Sequence, residues 1–177
     1  ALHRACHVGQ FAADRAIVAL AARQMADQRE HVGSAGAHGI DQRLRDLGLH
    51  ILDWSWQHGW DDQYGGIFYY RDARGLPCAE YWHDMKFWWP HNEAIIATLL
   101  AYAMTKESRF LELHTRVHDW AYAHFPDSLH GEWFGYLHRD GSLSTRVKGT
   151  MWKGPFHLPR MQLYCWKLLE EMLACKR

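Results

Sequence analysis

Trp82-His83-Asp84-Met85-Lys86-Phe87-Trp88-Trp89-Pro90-His91-Asn92-Glu93 runs directly into Ala94-Ile95-Ile96-Ala97-Thr98-Leu99-Leu100-Ala101. Apolar side chains at Ile95, Ile96, Leu99, Leu100 and Ala103 recur with the helical period, so an apolar helix follows an aromatic, ionisable lead-in. Proline is tolerated in the first turn of a helix, which puts the start near Pro90 and Glu93 within that first turn. There Glu93 shares the stripe of Ile96 and Leu100, which otherwise faces the core. A carboxylate on a core face is costly unless it is partnered or functional; the competing explanation is simple stabilisation at the positive end of the helix.

Three further stripes have the same period. They are Ile40, Leu44, Leu47, Ile51 and Trp54; Phe110, Leu113, Val117, Trp120 and Ala121; and Leu158, Met161, Cys165, Leu168 and Met172. A weaker, Ala-rich helix is expected from Phe11 to about Gln28. Between the helices lie two aromatic segments that alternate like strands, Gly65–Asp72 and Gly131–His138, and Asp140-Gly141 marks a hairpin turn after the second. Each follows a helix and an Asp-containing turn, at Asp62 and Asp127, so the two read as copies of one unit about 65 residues apart. Helix, short hairpin and helix repeated around a ring is an α/α toroid, and six units of that period need on the order of 390 residues. The expected fold is therefore all-α, an arc of an (α/α)6 toroid with short aromatic β-hairpins between helices. Residues 40–177 form this arc. Residues 1–39, rich in Ala, Arg, His and Gly, are poorly specified.

Bulk composition narrows the function. Lys and Arg number 20 against 20 Asp and Glu, so no basic stripe points to nucleic acid. The longest apolar run, near Ala94–Met104, is too short to span a bilayer, so no membrane partner is expected. Cys6, Cys78, Cys165 and Cys175 have no paired spacing, which reads as reduced thiols of a cytosolic protein and not as a disulfide frame or zinc site. HExxH, GxSxG and P-loop patterns are absent, and no metal is required. Because the chain starts at Ala, it reads as a fragment.

The chain has 10 Trp and 14 His, unusually many for a simple structural domain, which suggests an aromatic-lined cavity. Trp88, Trp89, Trp133 and Trp152 could stack on the C–H faces of a sugar ring, although each taken alone is as readily a core residue. Lys86, Lys153 and Arg160 could hold substrate oxygens or stand as solvated charges. His157 lies where the loop Lys153-Gly154-Pro155-Phe156 enters a helix, and the helix dipole disfavours its protonation, which suits a general base; a satisfied capping histidine is the alternative.

Trp88-Trp89-Pro90-His91-Asn92-Glu93-Ala94, Gly131-Glu132-Trp133-Phe134-Gly135-Tyr136 and Lys153-Gly154-Pro155-Phe156-His157-Leu158-Pro159-Arg160 occur in that order. Together, across about residues 41–171, this trio resembles the C-terminal half of the N-acylglucosamine 2-epimerase family. Related cellobiose 2-epimerases and aldose–ketose isomerases share the toroid but usually carry glutamine where His91 stands, which favours the N-acylglucosamine branch. The resemblance implies interconversion of N-acetylglucosamine and N-acetylmannosamine by removal and return of the C2 proton of the ring-opened sugar. It implies His157 and Glu93 as catalytic residues; residue type and placement add His91, Trp88, Trp89, Lys86, Trp152 and Arg160 as the expected substrate contacts. It further implies a cytoplasmic homodimer in the full-length form and ATP as an allosteric activator, with no cofactor required.

The resemblance also implies a second catalytic histidine in a His-Pro-Gly-His-like motif near residues 2–10. Leu2-His3-Arg4-Ala5-Cys6-His7-Val8-Gly9-Gln10 lacks the proline, and a reading-frame error upstream of about Gly36 would account for the loss. Two other readings remain open from sequence. One is a glycoside hydrolase or lyase using Asp84 and Glu93, and the other is a truncated binding or dimerisation module without activity.

Overall fold

The computed structural model describes residues 35–174. The expected helix over Phe11–Gln28, His3, His7 and the missing motif lie outside the described residues, as does the side chain of Ile40. In chain order the elements are α1 (Ala35–Gly59), β1 (Lys86–Phe87), α2 (Trp88–Thr105), α3 (Ser108–His124), β2 (Tyr136–Leu137) and α4 (His157–Ala174).

Helix α2 is the centre. Trp88 and every residue from 90 to 101 are buried, because separate faces of the helix meet separate neighbours. Ala97 and Ala101 are small enough to admit Leu52 of α1 and Phe110 of α3. Ile95 and Ile96 pack with Val117 and Ala121 of α3 and Met161 of α4, while Leu99 and Leu100 meet Leu168 of α4. The stripe expected for α2 is thus only part of its buried surface. α2 ends where Lys106 turns left-handed, and Glu107 alone separates Lys106 from α3, so α2 and α3 form an antiparallel helical hairpin. The stripes expected for α3 and α4 are borne out by buried Phe110, Val117 and Ala121 and by buried Leu158, Met161 and Leu168.

The stripe expected for α1 is covered only at its C-terminal end, where Ile51 packs with Leu52 against α2 and α3 and Trp54 is half-buried. Leu44 and Leu47 are exposed, whereas Leu52 is buried and Leu49 half-buried against α2. The apolar surface of α1 is wider than the single seam it shares with α2, so periodicity alone could not say which edge is covered.

The two aromatic segments do form copies of one unit, but as tight loops closed by single bridges, not as hairpins. Asp61 accepts the Gly65 N–H and donates its own N–H to Gly66, and Trp60 bridges Ile67. Asp127 repeats this with Gly131 and Glu132, and Pro126 bridges Trp133. In both copies the Asp carboxylate caps the loop N–H groups behind it, Gln63 and Tyr64 in one, Leu129 and His130 in the other. The ladder joins β1 and β2 instead, antiparallel, with Lys86 opposite Leu137 and Phe87 opposite Tyr136. Strands this short need long-range pairing to exist, and local alternation could not reveal the partner. The Asp140-Gly141 turn forms as expected, with Leu137 bridging Leu143 across it.

Candidate active site

Helix α2 begins at Trp88, two residues before Pro90, because the first turn of a helix has no N–H bonds for proline to break. Glu93 therefore lies in the second turn, beyond the exposed N–H groups that would stabilise a charge at the helix start. It is only 1% exposed. Its partners come from α4. His157 Nδ1 meets Glu93 Oε1 at 2.7 Å, and Arg160 pairs with the same oxygen. His157 and Arg160 are three residues apart, so the first turn of α4 presents both on one face. A carboxylate offers only lone pairs, so this geometry puts the ring proton on Nδ1 and leaves Nε2 as the nitrogen able to take up a proton.

His157 lines a groove of about 780 Å³ together with Trp88, Trp89, Tyr69, Tyr136 and Trp152. Trp89 lies 5.8 Å from the His157 ring and Trp88 meets it edge-on at 6.2 Å. On the far side of Trp89 and Tyr69 is a smaller cavity of about 70 Å³, lined by Glu93 and by the aromatic end of α1. The His157–Glu93 contact joins the two. Trp152 stands at the groove rim, 81% exposed. Trp88 presents little surface, being 2% exposed, and Trp133 is core.

Two residues expected around the substrate are held inside the framework. His91 is fully buried; its Nδ1–H donates to the Phe87 carbonyl at 2.7 Å and its Nε2 accepts the Ile67 N–H at 2.9 Å. Burial, together with the nearby charges of Lys86 and His124, pushes the ring down to about 3, so it stays neutral. One donor and one acceptor is also what a glutamine amide supplies. Lys86 is likewise fully buried, with Nζ 3.0 Å from Asp61 Oδ2 and 3.4 Å from the Gly66 carbonyl. Burial pulls Lys86 down to about 8 against the pull of Asp61.

Asp61 and Arg139 were not singled out by the sequence reading. Arg139 closes on Asp61 from the other side at 2.8 Å, tying the first loop unit to the turn after β2. Burial alone would raise the Asp61 carboxyl, but hydrogen bonds from Arg139 and Lys86 outweigh it and hold it well below the usual carboxylate range. The signal in sequence was present: an Asp opening each of two related loops.

Asp84 and Glu93 do not share a site, since Asp84 lines neither cavity while Glu93 is committed to α4. No group of three or more His, Cys, Asp or Glu able to hold a metal occurs among the described residues, and none of the described helices is long and apolar enough to cross a membrane.

A family model described as N-acylglucosamine 2-epimerase matches residues 34–158, which includes the whole of α1, α2 and α3 and the start of α4. The chain belongs to the N-acylglucosamine 2-epimerase family. The N-acylglucosamine 2-epimerase of Bos taurus is 39% identical over 138 residues, covering 76% of this chain and 32% of its own length. That of Homo sapiens is 37% identical over 141 residues, covering 77% and 33%. The chain thus spans about a third of the length of these relatives. A cellobiose 2-epimerase of Bacteroides fragilis is 32% identical over 85 residues, 48% of this chain and 21% of that protein.

Among solved structures, a D-mannose isomerase superposes with a TM-score of 0.70 at 18% identity, over 90% of this chain and 37% of that one. A cellobiose 2-epimerase from Spirochaeta thermophila superposes at 0.60 and 25% identity, over 72% and 31%. Family members of this fold are (α/α)6 barrels, and the described residues are an arc of one.

Proposed function

We propose that this chain supplies one wall of the active site of a sugar 2-epimerase, acting on the N-acetylglucosamine/N-acetylmannosamine pair, with His157 as an acid–base group at C2. The observation that carries the reading is the His157–Glu93–Arg160 cluster beside an aromatic groove. A proton on a carbon next to a carbonyl leaves as the electron pair moves onto the carbonyl oxygen, giving an enolate that still carries the acetamido group at C2; its return to the other face inverts C2. Such a step needs a base on each face, working near neutrality. Glu93 fixes the His157 tautomer so that Nε2 is the exchanging nitrogen, and Arg160 keeps Glu93 in place.

In this reading Trp89 and Trp152 offer ring faces to the open-chain sugar, and the second base comes from outside the described residues. The choice of the N-acetylamino sugars over mannose or cellobiose rests on the names of the relatives that resemble the chain at 37% to 39% identity. ATP acts as a modulator and takes no part in the proton transfer. The full-length protein works as a cytoplasmic homodimer.

The test is proton NMR of N-acetylmannosamine in D₂O with the full-length polypeptide and, in parallel, the 177-residue chain. Loss of the C2 proton signal with appearance of N-acetylglucosamine is expected from the full-length protein. Exchange with mannose or cellobiose only would move the substrate assignment, and no exchange with any of the three sugars would refute it. Exchange with the short chain would show that this wall suffices.

A further inference from the structure

We propose that Glu132 and Lys153 are a positioning pair that sets His157 in the groove, a role that rests on the acid–base reading of His157. Glu132 occupies, in the second loop unit, the place that Gly66 holds in the first, and like Gly66 it is left-handed, with φ 64. Gly66 adopts that backbone freely; a glutamate does not. The strained residue has a use. Its Oε2 lies 2.6 Å from Lys153 Nζ, and Lys153 is only 4% exposed.

Lys153 is seated by everything around it. Its stem crosses Gly135, where an added Cβ would come within 2.7 Å of Lys153 Cδ. Its ammonium lies 5.6 Å from the Trp88 ring, the same ring that meets His157 edge-on. The Lys153 N–H donates to Thr150 Oγ1 and its carbonyl accepts the Thr150 N–H, while Thr150 Oγ1 is 3.1 Å from the Tyr136 hydroxyl on β2. Only Gly154, Pro155 and Phe156 separate this anchor from His157. The loop that delivers His157 is therefore pinned at Lys153, and the pin is closed by a carboxylate from the repeat unit. Lys153 lines neither cavity, so it acts through the loop and not on substrate.

The experiment compares the full-length protein with the double variant Glu132→Gly/Lys153→Met, which removes both charges, keeps the apolar stem and relaxes the left-handed backbone. Kinetics of C2-proton exchange are read beside the melting temperature and the His157 Cε1–H resonance. The expected result is a melting temperature close to wild type, KM within about twofold, kcat down about tenfold through misplacement of the base, and a shifted or broadened His157 resonance. Glu132→Gln, which keeps a hydrogen-bonding oxygen for Lys153, is expected to recover most of kcat.

An unchanged kcat with an unchanged His157 resonance overturns the proposal. So does a kcat that falls only with the folded fraction while the resonance stays put. A wild-type protein without exchange refutes the epimerase reading instead, and the resonance then decides the positioning claim by itself.

Discussion

Replacing His91 with glutamine should exchange neutral-pH stability for acid resistance. The folded ring is held neutral down to about 3, against an ordinary value of 6.5. Below 6.5 the unfolded chain takes up a proton that the folded chain refuses, so the stability is complete above that pH and drains away as pH falls toward 3. At about 1.4 kcal/mol per pH unit the slope is steep, and the full loss is on the order of 4–5 kcal/mol. Glutamine can keep both hydrogen bonds, from an amide N–H to Phe87 O and from Ile67 N–H to the amide oxygen. It loses the ring stack on Trp120 at 4.9 Å and the edge contact with Phe125 at 5.0 Å, together about 1–3 kcal/mol.

The variant is thus about 2 kcal/mol less stable at pH 7.5, and that deficit is used up roughly 1.5 units below 6.5, so the two proteins cross near pH 5. Urea denaturation of both, in half-unit steps from pH 4.5 to 7.5, gives the difference directly and cancels the other histidines. A difference that stays flat across this range would refute the claim that the buried ring is locked neutral.

Other consequences are independent of that one. Glu93→Gln should lower kcat for C2 exchange about tenfold: Arg160 and His157 both require an acceptor at the same oxygen, so the amide oxygen stays there and only the charge assistance is lost. Adding Arg160→Met removes that constraint and should deepen the loss further, and a Glu93→Gln protein with wild-type kcat would show the contact to be incidental. Lys86→Met leaves a buried Asp61 with Arg139 as its remaining charged partner and should cost about 3 kcal/mol in chemical denaturation. A cost below about 0.5 kcal/mol, the scale of ordinary surface changes, would contradict the burial argument. Trp152→Ala, at the exposed rim, should change stability by less than about 0.5 kcal/mol yet raise KM several-fold; an unchanged KM would take Trp152 out of the site.

Much of the site was legible because it is local. His157 and Arg160 are one helical turn apart, Trp88 and Trp89 adjoin the start of α2, and the oddity of Glu93 on an apolar stripe was visible from period alone. The same local signals misplaced His91 and Lys86. Both are polar residues in a cluster that looks chemical, and nothing in the sequence tells a histidine that binds a substrate from one that satisfies two buried backbone groups. The segment Gly131–His138 was misread in its pairing, because a two-residue ladder is chosen by what the helices bring alongside, here Lys86 and Phe87.

By itself the sequence determined the helices, their buried faces in α3 and α4, the doubled loop unit and the family. These follow from 3.6-residue periodicity, turn chemistry and short motifs, all of which act over a few neighbouring residues. Only the tertiary structure decided that Glu93 meets His157 across 64 positions of chain, and Arg160 one helical turn further on, that Asp61 gathers Lys86 and Arg139, and which edge of α1 is covered. Charges and apolar surfaces find partners through space, and that pairing depends on how α2 sits between its neighbours, a property of the packed whole that no local pattern contains.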